Sequence, residues 1–144
     1  MIEFVVTIVI NKPLAEVFRF VAHLENIPQW VRGAHVETLS EGSFGDGTLF
    51  QQDHEVVRVD HVHVNHGFET ESIRIHFPTR LVLRHTHGIL QFEPVGHGTQ
   101  FIMKHQFELT PFLKPFEPLL ARKAQQESQA ALEHLKTLVE QEAG

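Results

Sequence analysis

One change of rhythm constrains this chain more than any other feature. Up to Leu109 most apolar residues recur at spacing two, and from Pro111 onward they recur at 3.6. The first rhythm predicts strands over Glu3 to Ile10, Ala34 to Leu39, Thr48 to about Val64, Phe68 to Phe77, Arg80 to Thr86, Gly88 to Glu93 and Thr99 to Leu109. The long Thr48 to Val64 run calls for a bulge or break near Arg58-Val59-Asp60. Turn signals separate the runs at Gly45-Asp46-Gly47, Asn65-His66-Gly67, Pro78-Thr79 and Gly96-His97-Gly98. After the first strand, Asn11 and Pro13 suit a helix start, and Val17, Phe18, Phe20 and Val21 give it an apolar face. A second short helix is expected over Leu24 to Trp30.

The second rhythm predicts one helix from about Pro115 to Glu140, roughly 39 Å long. Its stripe reads Phe116, Leu119, Leu120, Lys123, Glu127, Ala131, His134, Leu135 and Leu138. Strands segregated from helices imply an α+β fold rather than a parallel α/β one. The expectation is a curved antiparallel sheet of about seven strands. Two short helices follow its first strand, and the long C-terminal helix packs over it. The 144 residues suit one domain, 1–144.

Charge narrows the partners. The net charge is -6 with neutral histidines. A nucleic-acid binder needs a basic face for phosphates, so none is expected here. The same excess argues against adhesion to an anionic membrane surface. No run of about 18 apolar residues exists, so stable membrane insertion is not expected. Met1-Ile2-Glu3-Phe4 lacks the basic start of a signal peptide. With no cysteine there is no disulfide framework and no thiolate chemistry, which fits a cytoplasmic location. The sequence does not specify an oligomeric state.

Several short segments carry a family resemblance. Ile8 to Val21, with Pro13-Leu14-Ala15-Glu16-Val17-Phe18, resembles the first strand and helix start of the START-like (SRPBCC, helix-grip) superfamily, polyketide cyclase/dehydrase-like group. Glu25-Asn26-Ile27-Pro28-Gln29-Trp30 is similar to that group's acidic and Pro-x-Trp segment. Gly45-Asp46-Gly47-Thr48 and Gly96-His97-Gly98-Thr99 resemble its turns. The resemblance implies a cavity between the concave face of the sheet and the long helix. It further implies an apolar or amphipathic small-molecule ligand, such as a lipid, sterol, aromatic or polyketide, with some relatives acting as cyclases or dehydratases.

Strand alternation proposes the residues that would line such a cavity. Phe101, Met103, His105, Phe107 and Leu109 share one face of the last strand. Leu81, Leu83, His85 and His87 share a face of theirs, as do Phe50, Gln52, His54 and Val56 after Gly47. Four of the 12 histidines, His54, His85, His87 and His105, thus punctuate apolar faces. They either meet a ligand and move protons or sit at a rim with local partners. Phe116, Lys123 and Glu127 bring the helix into the same candidate set. Lys123 and Glu127 either reach the cavity mouth or form a surface i,i+4 pair.

His61-Val62-His63 and His85-Thr86-His87 are His-x-His pairs without an evident third ligand, so no metal is expected, and no cofactor either. Phe112 and Leu113, in the apolar loop before the helix, either pack the helix start or form a gate or membrane-touching tip. No nucleophile motif stands out. The expected function is binding of an apolar or amphipathic small molecule. The alternatives are a cyclase or dehydratase using His105 with His54 or Glu127 as acid and base, and an interaction module.

Overall fold

The computed structural model describes residues 1–142. Seven strands and three α-helices follow in the order β1 (Ile2–Ile10), α1 (Leu14–Ala22), α2 (Ile27–Trp30), β2 (Val36–Thr38), β3 (Leu49–Gln52), β4 (Glu55–His63), β5 (Gly67–Ile75), β6 (Leu83–Val95), β7 (Gly98–Leu109) and α3 (Glu117–Glu142). Short 3-10 turns precede α2, β6 and α3. The strands form one antiparallel sheet in the order β1-β7-β6-β5-β4-β3-β2. This is the helix-grip α+β architecture.

The strand total matches the expected number through two compensating differences. Thr48 to Val64 is a hairpin, because Asp53 adopts φ 54° and turns β3 into β4. Arg80 to Glu93 holds a single strand that passes straight through Gly88. Gly88 serves packing rather than turning: a Cβ there would lie 2.7 Å from Thr70 Oγ1 on β5. The register irregularities on β4 fall at Val56/Val57 and between Asp60 and His63.

The β1 edge of the sheet is closed. β1 pairs with β7 along its whole length, and α3 lies against its other side. The Gln129 amide donates to Thr7 O at 3.3 Å and Lys136 Nζ to Val9 O at 2.9 Å. Glu140, ion-paired with Lys136, accepts the Asn11 N–H at 2.9 Å. These bonds occupy edge groups that would otherwise invite another strand. The Glu140 carboxyl is held below the usual range by the Asn11 N–H and the Lys136 ammonium. At the opposite edge β2 is only three residues long.

The phase of α3 differs from the expected stripe. Leu132, Leu135 and Val139 are fully buried, and Leu120, Ala121, Ala124, Ala131 and Leu138 pack on the core. The buried stripe is therefore rotated by roughly a quarter-turn. Phe116, Leu119, Lys123, Glu127 and His134 are exposed. The reason is that only the C-terminal half of α3 is anchored by large apolar residues. That half sets the rotation of the whole helix.

Candidate functional site

The inner face of the sheet changes character along its strands. Toward the Asn65 and Gly96 turns it is filled by aromatic rings. Phe92 stacks on Phe101 at 4.7 Å, Phe18 of α1 meets Phe92 edge-on at 5.2 Å, and Phe44 meets Phe68 at 5.0 Å. Aromatic pairs in these geometries add stabilisation beyond their buried area. This end is closed. Toward the ends of β5 and β7 the inner face carries half-buried residues, including Gln52, Glu55, Leu83, Thr86, His105 and Phe107.

Register shows how the polar groups reach that end. His105 stands opposite Phe4 on β1 and Gly88 on β6. With no side chain at Gly88, the imidazole is flanked by the rings of Phe4 at 5.1 Å and Phe107 at 5.5 Å. Burial pushes its pKa down to about 4, so the ring is neutral at physiological pH. Its Nε2 is buried without a hydrogen-bond partner, as is Trp30 Nε1 on α2. Buried polar atoms are nearly always paired, so each such orphan needs an explanation.

One rung further toward the open end lies Thr86. β5 and β6 pair only as far as Glu71 and His87, and beyond that point the strands separate. Ser72 fills the gap: its hydroxyl accepts the Thr86 N–H at 2.8 Å and donates to the Thr86 carbonyl at 3.3 Å. The Thr86 hydroxyl donates to Glu55 Oε1 at 2.7 Å, crossing from β6 to β4. Burial raises the Glu55 pKa, and the Thr86 hydrogen bond offsets only part of that rise. A group whose folded pKa is raised favours folding below its unfolded value and loses that contribution as pH climbs through the folded value. Glu55→Gln is therefore expected to raise the unfolding midpoint at pH 7 and leave it nearly unchanged at pH 4. Equal effects in urea titrations at both pH values would refute this assignment.

The expected site residues divide into three groups. Phe50, Gln52, Leu83, Met103, His105 and Phe107 do share the inner face. His85 and His87 do not. Leu90 and Phe92 put even-numbered residues of β6 inward, and the register irregularity after Leu83 releases that residue from the rule. His85 and His87 therefore point outward, where they meet Glu71 at 3.0 Å and Glu69 at 2.9 Å. His54 sits exposed in the β3–β4 turn, and Phe116, Lys123 and Glu127 are exposed at α3 or just before it.

The alternation read from sequence leaves Glu55, Ser72 and Thr86 out of the site. Carrying β6 through Gly88 and placing a turn at Asp53-His54 corrects the alternation, and both Thr86 and Glu55 then fall on the inner face. No group of three or more His, Cys, Asp or Glu residues suited to a metal occurs among the described residues. Two surface depressions lie away from the inner-face polar group. One of about 250 Å³ is lined by Arg84, Glu108, Lys114 and Glu117 among others, and one of about 420 Å³ lies beside α1 at Phe18, Arg19 and Phe44.

Residues 1–140 match the family model described as polyketide cyclase / dehydrase and lipid transport. The chain belongs to this family. Solved structures agree with that membership at the level of fold. TTHA0849 from Thermus thermophilus is 18% identical, with a TM-score of 0.80 over 99% of both chains. A START superfamily protein from Mycobacterium smegmatis is 13% identical, with a TM-score of 0.80 over 98% of this chain and 99% of that one. The di-domain ARO/CYC StfQ from the steffimycin biosynthetic pathway is 12% identical, with a TM-score of 0.78 over 99% of this chain and 52% of that one. No curated protein sequence matches the chain. No described helix is long and apolar enough to cross a membrane.

Proposed function

We propose that this polyketide cyclase/lipid transport family member binds an uncharged amphipathic small molecule. The ligand lies on the inner face, between the open end of the sheet and α3. The observation that carries this reading is His105: a neutral imidazole between two phenylalanine rings, with a buried Nε2 left without a partner. A ligand hydroxyl or carbonyl beside that ring satisfies the nitrogen at little cost, whereas leaving it dry costs roughly 1–3 kcal/mol. Phe107, Met103 and Leu83 supply apolar contact, and Thr86 with Glu55 supplies a second polar fixture. None of the inner-face positions in this group is a Lys or Arg, which favours a neutral keto, phenol or sterol-like oxygen over a carboxylate.

N-phenyl-1-naphthylamine, a neutral aromatic fluorophore, is the probe. Its emission is expected to rise with wild-type protein, and His105→Phe is expected to weaken binding about tenfold, the equivalent of about 1.4 kcal/mol. Equal affinity for the two proteins removes His105 from the site.

A catalytic reading has one observation in its favour. Glu55, whose pKa burial raises, lies three strands from neutral His105 on the same inner face, and an enolisable ketone long enough to span them would meet both a carboxyl and an imidazole able to exchange protons with it. In a cyclase or dehydratase, Glu55 rather than exposed His54 or Glu127 would then partner His105.

A further inference from the structure

The net charge of the chain conceals an uneven distribution. Two segments meet at the open end of the sheet, the β5–β6 connection and the stretch from Thr110 into α3. Thr110 ties them together, its N–H donating to Val82 O at 3.0 Å and its hydroxyl to Leu81 O at 2.9 Å. Phe77, Leu81, Phe112, Phe116 and Leu119 on these segments are each 54–75% exposed. Most soluble domains do not gather so many large apolar side chains in one exposed area, and such a cluster marks an interaction surface.

The same segments are basic. Residues 76–84 and 110–123 hold five Lys or Arg residues against a single acid, Glu117, in a chain whose net charge is -6. Arg80, Arg84, Lys114, Arg122 and Lys123 are all exposed, and none makes an ion pair among the described residues. Glu117 is occupied by the Met1 ammonium at 2.8 Å, and Glu108 lies beside Arg84 and Lys114 in the shallow depression there. β6 alone runs 13 residues away from this end, about 43 Å of strand. Acidic groups at its far end are beyond the screening length of about 10 Å at ordinary ionic strength. Local charge, rather than the total, therefore governs what this end meets.

We propose that this end of the molecule docks reversibly on an anionic lipid surface. The aromatic and leucine side chains enter the headgroup–acyl boundary, and the five cations meet lipid phosphates. Aromatic tips interleaved with unpaired cations suit that partner better than an acidic protein groove, which would leave the apolar tips in water. The proposal stands apart from the ligand reading, because adsorption to vesicles can fail while probe binding persists.

The experiment is co-sedimentation of the full chain with vesicles of phosphatidylcholine alone and of phosphatidylcholine mixed equally with phosphatidylglycerol, at low and high salt. Binding is expected only to the anionic vesicles and is expected to weaken with salt. Phe112→Ser with Phe116→Ser, and separately Arg80→Glu with Lys114→Glu, should each reduce partitioning about tenfold or more. These side chains are exposed, so the fold should persist, and far-UV circular dichroism checks that it does. No binding to anionic vesicles at low salt overturns the proposal, as does binding that neither double variant alters. Sedimentation showing that the patch instead joins two copies of the chain, with the dimer lost in the Phe variant, overturns it equally.

Discussion

Replacing Phe101 by alanine is expected to lower the unfolding free energy by about 3–5 kcal/mol. Phe101 is fully buried and stacks on Phe92 with an interplanar angle of 13°. It stands opposite Ile8 on β1 and Phe92 on β6, so it bridges the strand that α3 covers and the aromatic end that α1 covers. Removing the ring forfeits its transfer free energy and leaves a cavity between a helix layer and a sheet layer. Neither layer can collapse freely. The loss should appear as a fall in the thermal midpoint of roughly 10 °C. A loss below about 1 kcal/mol in urea unfolding would mean that the aromatic end is not the anchor of the fold.

The second large effect concerns pH. The His105 imidazole has its folded pKa lowered to about 4 from 6.5, with burial the cause. The sign follows from proton binding. Between pH 6.5 and 4 the unfolded chain takes up a proton at this site and the folded chain does not. Stability is therefore expected to fall as pH drops through that window, by about 3 kcal/mol from this one group. His105→Phe places a ring of similar shape between Phe4 and Phe107 and removes the titrating nitrogen. The variant should lose that part of the slope, whatever its absolute stability. Chemical denaturation of both proteins across the range measures the difference, and parallel curves would show that His105 is hydrated or paired in solution. Glu140, with its lowered pKa, contributes stability that is lost at more acidic pH, and it does so in both proteins alike.

These two residues illustrate what could be read in advance. Phe101 and His105 lie on the last strand, whose strict alternation put Phe101, Met103, His105, Phe107 and Leu109 on one face, as the structure has them. No turn residue interrupts that strand, so counting by two from any core residue gives the right answer. His85 and His87 lie one strand away, and there the same counting failed. Leu81 and Leu83 lie upstream of a register irregularity, and Gly88, which reads as a break in the sequence, continues the strand. Only the neighbouring strand shows why Gly88 is glycine, since Thr70 occupies the space of its missing side chain.

The helix tells the same story on a larger scale. Its length and position follow from the 3.6 spacing after Pro111, and the segregation of strands from helices leaves it as the only long cover for the sheet. Its rotation does not follow, because apolar residues occur on two sides: Leu132, Leu135 and Val139 on one, Phe116 and Leu119 on the other. The core chose the first set through contact with β1 and α2, and the second set was left exposed with the basic residues around it. The order of elements, the sheet, the covering helix and the inward face of β7 were thus determined by the sequence alone, because they rest on local periodicity. Tertiary structure decided the polar group of Glu55, Ser72 and Thr86 and the exposed basic end, because each depends on which residues of distant segments come within a few ångströms of one another.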